Sequence, residues 1–511
     1  MSKSLPPRPN LEQLKKQAKE LLKSFKSGDA AALQRIRENH PDYSRSSPSE
    51  IRAVSLPLHD AQLVIAREYG FASWPQLKER VESLAGAGDP VEAITAAMKA
   101  NDATLLEQVL ERHPELKSRL NDPIPGSAFG TTLLMIAVQR GNKEMVDVLL
   151  RAGADIKARS HWWAGSFGVL DDDHGLASFL IERGAIVDAH AAARLGMFDK
   201  LKELVVADPQ VVHTRGGDGQ TPLHFTKSVK VADFLLDHGA NIDALDIDHE
   251  STPAQYMIRD RQEIARHLVA RGCKTDILMA AALGDIELVR KQLDADPKCI
   301  RTSVSEEYFP KQNPRAGGSI YIWTLGHHKT AHMIAREFGH EDVYRFLMER
   351  SPEELKLAQA AELGDEATFK ALLTSRPDLT RTLSEDERRK VVNAAQNNNT
   401  NAVRMMLEAG WPVDARGQHG GTPLHWAGFH GNAEMAKIIL RYNPPLEWKD
   451  KDFDAPPLGW AIHGSEHGWY CKTGNYAGTV EVLLEAGAKP PKKLEGTEAV
   501  KTILRRFGAK E

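Results

Sequence analysis

The chain has 511 residues, a formal net charge of -4 and 41% hydrophobic content, enough apolar material for a large buried area without requiring one globular core. The near-neutral balance argues against a dedicated nucleic-acid binder. Three widely spaced cysteines, Cys273, Cys299 and Cys471, give neither a disulfide framework nor a metal signature. The stretch MSKSLPPRPN has no apolar signal core and no run is long enough to span a bilayer, so the expected home is the cytoplasm, with no membrane partner.

In chain order, Asn10 caps a helix whose apolar side is Leu11, Leu14, Ala18, Leu21, Leu22 and Phe25. Lys15, Lys16, Lys19 and Lys23 cover the rest. A basic amphipathic helix can lie on a membrane surface; here it reads as the polar-faced end of a stacked array.

A spacing then repeats. Gly28 is followed by Pro41, Gly196 by Pro209, Gly284 by Pro297 and Gly364 by Pro377, with Asn101 and Pro114 as a variant. Each segment predicts a small-residue helix, a glycine turn and an amphipathic helix stopped before proline. Between these lie units that begin at Thr131, Thr221, Thr252 and Thr422. They run through a short helix and an aliphatic helix to endings such as GADI, GANID and GCKTD, where glycine supplies a left-handed turn. A further variant occurs twice, as IAREYGF from Ile65 and IAREFGH from Ile334.

The clearest unit is GQHGGTPLHWAGFHGNAEMAKIILRYNPPLEWKD, Gly417 to Asp450. Thr422 and Pro423 start a helix, Ala427 and Gly428 give it a face that a neighbour can approach closely, and Met435, Ile438, Ile439 and Leu440 mark a second. The TPLH run, small-residue helix, GN turn and aliphatic helix resemble the ankyrin repeat. That resemblance implies an all-α solenoid of helix pairs with helical caps and loop insertions, about a dozen units at a period of about 33 residues. The expected organisation is a cap with divergent repeats over 1–90 and ankyrin-like repeats over 91–304. An insertion with a divergent repeat follows over 305–350, then C-terminal repeats over 351–490 and a cap over 491–511. In the family the TPLH histidine ties turns together, which gives His224 and His425 structural roles.

Three segments exceed what a connector needs: Ser160 to Gly175, Glu306 to Trp323 and His463 to Gly478. The last contains His463, Glu466 and His467 in a His-x-x-Glu-His string that matches a zinc-protease pattern. That pattern needs a continuous helix, and Gly464 and Ser465 are poor helix formers, so the expectation is no metal. His328 and His332 have helical spacing without a third ligand, and no phosphate loop or nucleophile elbow is present, so no cofactor is expected.

The resemblance also implies that the residue after TPLH faces the concave surface. Phe225, Tyr256, Trp426 and Trp460 hold that position, the backbones of the last two expected roughly 10 Å apart in neighbouring units. Either these rings pack on one another, or they wall a pocket with His430, His463, His467 and Trp469, in which Glu466, Asp454 and His463 are candidates for proton transfer. A second candidate site joins Asp248, Glu250 and Tyr256 to Trp323, with Tyr308 and His327 nearby, if the Glu306 to Trp323 insertion folds over the hairpin. Ankyrin arrays imply a protein partner held at the concave surface; the alternative is an enzyme or receptor for a small polar, sugar-like ligand.

Overall fold

The computed structural model describes residues 3, 5, 10–54, 56–85, 90–124 and 127–509. Most of the N-terminal stretch MSKSLPPRPN, with its expected lack of a signal core, lies outside these residues, as do the last two residues of the C-terminal cap. Among the described residues the secondary structure is helical, with one isolated bridge between Ser303 and Thr330. No helix among them is long and apolar enough to cross a membrane. The contacts divide the chain into two units: residues 1–206 with 215–219, and residues 207–214 with 220–511.

The repeated glycine spacing has a direct structural cause. Gly28, Gly196, Gly284 and Gly364 have φ between 64° and 75°, and Asn101 has φ 52°. Each is the left-handed residue between two consecutive helices, as in Ile277–Leu283 and Ile286–Ala295 around Gly284. At Pro41, Pro114, Pro209 and Pro297 the second helix gives way to a 3-10 turn that opens on the proline. The two IARE segments are built alike as well. Ile65, Ala66, Ile334 and Ala335 are buried, and Gly70 and Gly339 turn the chain at φ 84° and 79°.

In the first unit, helices Leu11–Lys26, Ala30–Asn39 and Leu58–Glu68 close on Leu14, Leu21, Phe25, Leu33, Ile36, Val64 and Ile65. Asn10 caps the first of them by accepting from the Glu12 and Gln13 amides at 2.8 and 3.2 Å. The insertion after Ser160 folds back on itself. The Ser160 amide donates to the Phe167 carbonyl at 2.8 Å, and Phe129 packs edge-on against Trp162 and Phe167.

In the second unit the stacking rests on the Thr-Pro helices. The Thr422 amide donates to His425 Nδ1 at 3.1 Å, which leaves Nε2 to donate to the Ala455 carbonyl of the next hairpin at 3.2 Å. Thr221, His224 and Ser251 repeat the arrangement at 3.1 and 3.2 Å. A continuous apolar core then runs from Leu357 to Leu504. Leu424 is fully buried within it, so Leu424→Ala should cost about 2–5 kcal/mol. Because repeats depend mainly on their neighbours, hydrogen exchange should quicken around residues 420–490. Equal acceleration along the whole unit would show that it unfolds as one block.

Candidate functional site: an aromatic cleft beside a polar cavity

The helices Pro423–His430 and Pro457–His467 touch at backbone level. A Cβ on Gly428 would meet the Pro457 carbonyl oxygen at 2.6 Å, and one on Gly464 the Phe429 carbonyl oxygen at 2.5 Å. This close approach carries the Trp426 and Trp460 rings to 5.1 Å, edge to face at 84°. Both are buried, 3% and 6% exposed, and with Phe429 they floor an apolar cleft of about 420 Å3. Trp469 and Phe453 stand on its rim, 59% and 64% exposed. Trp469 lies 5.9 Å from Trp426 and 5.5 Å from Phe429. His419 and His463 complete the wall.

The hairpin that presents Phe453 is organised by Asp450. Its carboxylate accepts from the Asp452, Phe453 and Ala455 amides at 2.9, 2.6 and 3.0 Å and from the Trp460 indole at 2.9 Å. Burial opposes the charge, but the indole and amide donors outweigh it and hold Asp450 below the usual carboxylate range. Asp246 does the same work earlier, accepting from the His249 and Ser251 amides at 2.7 Å each and from the Tyr256 hydroxyl at 3.1 Å. The tenth residue after each hairpin aspartate thus supplies the ring that locks it. Sequence reasoning misses both aspartates, although their matched spacing to a ring ten residues on is a readable signal. It misses His419 and Phe453 as well. His419 sits at φ 58° before Gly420 and Gly421, and its Nδ1 lies 2.7 Å from Asp452 Oδ2.

Several expected site residues point elsewhere. Asp454 has φ 52°, its side chain is 82% exposed, and it pairs with Lys449 at 2.6 Å outside the cleft. Glu466 and His467 do not line the cleft, being on the part of their helix that faces solvent. His430 is buried behind the floor, stacked on Trp426 at 5.9 Å, with Nε2 2.8 Å from the Gln396 carbonyl oxygen. Its Nδ1 and the Trp426 Nε1 are buried without a partner among the described residues.

The expected break at Gly464 and Ser465 is corrected. The helix runs unbroken to His467, because Gly464 is demanded by the contact with Phe429 and the Ser465 hydroxyl donates to the Ile462 carbonyl at 2.7 Å. His463 and His467 therefore share a face, their rings 4.8 Å apart, yet no group of three ligand atoms forms around them among the described residues. The inserted segment proper is the turn over residues 468–475.

The Glu306 to Trp323 insertion does fold over the earlier hairpin. Asp248 accepts from the Gly317 amide at 3.2 Å, and Glu250 accepts from the Gln312 and Asn313 amides at 2.7 and 2.8 Å. These carboxylates are therefore occupied in fastening the insertion. Tyr256 is tied to Asp246, and Trp323 is 68% exposed with its ring 6.2 Å from His249. Tyr308 and His327 are carried instead into a second, polar cavity of about 700 Å3, which shares His419 with the aromatic cleft.

Paired helices joined by left-handed glycines and tied by histidine-capped hairpins define a helical repeat protein. Its sequence matches the ankyrin-repeat models, described as "Ankyrin repeats (3 copies)", over residues 189–279 and 357–452 and as "Ankyrin repeat" over residues 129–161. These matches support an ankyrin-repeat fold over those three segments. It is similar to the E3 ubiquitin-protein ligase XB3 of Oryza sativa subsp. japonica, 34% identical over 93 residues, 18% of this chain and 21% of that one. It is also similar to the palmitoyltransferase Hip14 of Drosophila melanogaster, 27% identical over 100 residues, 20% of this chain and 14% of that one. The chain thus matches only 21% and 14% of the lengths of these relatives.

The buried histidines make the fold sensitive to acid. Burial drives His328 down to about 4, His332 to about 3 and His425 to about 4. In the unfolded chain the same rings take up protons near 6.5. Their contribution is therefore present above about pH 6.5 and is lost as pH falls toward 4. Urea midpoints should drop between pH 7.5 and 5, and the drop should shrink in His332→Gln. Midpoints that stay level or rise, or a drop unchanged in the variant, would contradict this.

Proposed function

We propose that this protein is an ankyrin-repeat binding module that engages a segment of a protein partner through its C-terminal repeats, on the concave surface that the family resemblance implies. A large apolar side chain of the partner sits among Trp426, Phe429, Trp460 and Trp469. One observation carries this reading: the cleft has a buried aromatic floor and two largely exposed aromatic rings on its rim. Contiguous exposed apolar surface marks binding sites, and aromatic residues carry a large share of interface energy. Tyr442, Trp448 and Tyr470 add further exposed rings in the same repeats. A cytoplasmic home belongs to the same proposal.

A second reading, a receptor for a small sugar-like ligand in this cleft, is favoured by the imidazoles of His419 and His463 on its wall. It lacks the acid–base pair expected of an enzyme there, since Asp454 and Glu466 do not line the cleft.

Selection of displayed random peptides on the full chain separates the two. The expected peptides share a large apolar anchor and lose at least tenfold in affinity, about 1.4 kcal/mol, against Trp469→Ala with the fold intact by circular dichroism. Peptides that bind Trp469→Ala and Phe453→Ala as tightly as wild type would overturn the proposal. Sugars that quench tryptophan fluorescence, with no peptide recovered, would favour the second reading over the first.

A further inference from the structure

The polar cavity beside the cleft contains an unusual imbalance. Most of its charged lining is already paired. Arg301 donates to Glu387 and Glu354, Arg389 lies 2.9 and 3.8 Å from Glu385 and Asp386, and Glu306 pairs with Lys311 at 3.0 Å. Asp452 is held by His419 at 2.7 Å, and Arg416 donates to the Gly420 and Lys449 carbonyls at 3.2 Å each.

Three buried groups are left over, besides the exposed Glu307. Lys390 lines the cavity, is only 9% exposed, and makes no hydrogen bond or close ion pair among the described residues, although its charge acts on the buried Glu362 carboxylate. Glu387 is 1% exposed, and while one of its oxygens meets Arg301, Oε2 is buried with no partner among the described residues. The Ser305 hydroxyl, on the same lining, is also buried without a partner among them. A buried ammonium and a buried carboxylate oxygen left unpaired are costly to hold in a fold, and they are expected where a ligand completes them. His327 and His328 do not supply the missing charge. Burial lowers both, His328 to about 4, so they are neutral near pH 7.

Glu387 and Lys390 are three residues apart on the helix Glu385–Gln396, which sets their Cβ atoms roughly 5–6 Å apart on one face. They do not bond each other, because Glu387 is turned to Arg301. A simple anion would satisfy Lys390 but set a new negative charge beside the free Glu387 oxygen. A simple cation would do the reverse. A guest with one group of each sign satisfies both and leaves the cavity's charge unchanged.

We propose that this cavity binds a small zwitterion of the α-amino-acid class, its carboxylate on Lys390 and Ser305 and its ammonium on Glu387 Oε2. None of these three contact residues lines the aromatic cleft, so failure of this proposal would leave the peptide-binding proposal standing.

Titration calorimetry of the full chain against each of the twenty free amino acids tests it. At least one should bind. Its N-acetyl derivative and its methyl ester, each lacking one of the two charges, should each bind at least tenfold more weakly. Lys390→Met, checked for native circular dichroism, should lose more than tenfold, and the gentler Ser305→Ala a smaller factor. The proposal is overturned if no free amino acid binds, if either blocked derivative binds as tightly as its parent, or if folded Lys390→Met binds like wild type. The blocked derivatives are measured on the wild-type protein, so they decide the matter even if the lysine variant does not fold.

Discussion

A histidine that accepts from its own helix cap and donates to the next hairpin sets the geometry from which the C-terminal repeats are built. The His425 imidazole joins the Thr422 amide to the Ala455 carbonyl, so the start of one helix pair is fastened to the hairpin of the next. Only the neutral ring with its proton on Nε2 can do both, which is why burial and low basicity suit this position. Once that bond fixes the step between repeats, Gly428 and Gly464 let the two inner helices close to backbone contact. Trp426 and Trp460 then have little freedom other than to meet edge to face.

Insertions act on this base by adding walls. The turn over residues 468–475 sets Trp469 on the aromatic cleft, and the insertion that begins near Glu306 brings Tyr308 into the polar cavity. His419 borders both spaces. Two of the three insertions thus frame adjoining cavities of different chemistry in the second unit. The first, after Ser160, closes on Phe129 within its own unit.

The repeat architecture was legible because its punctuation is local. A left-handed residue needs glycine or asparagine, and a helix followed by proline must end, so Gly28 and Pro41 or Gly284 and Pro297 can be read without knowing any contact. Trp426 and Trp460 were legible for a related reason, since motif alignment fixes which positions are equivalent. The polar side chains were not. Asp454 turns outward because its backbone is left-handed and Lys449 holds it. Glu250 is spent on amides some sixty residues away in sequence. Gly464 reads as a helix breaker until the Phe429 carbonyl is seen against it, when it becomes the residue that lets the helix pass. Lys390 and Glu387 gave no signal at all, because an unpartnered polar atom is a property of the packed surroundings and not of the helix that carries it.

The proposed recognition falls on the repeats after residue 300, where aromatic and polar surfaces lie side by side. Hydrogen exchange of the full chain with and without a bound selected peptide tests that assignment most directly. Protection should fall on residues 419–476, around His419, Phe453 and Trp469, and leave the first unit unchanged. Protection concentrated in residues 1–206, or on the Asp246 to Ser251 hairpin instead of the C-terminal repeats, would contradict it.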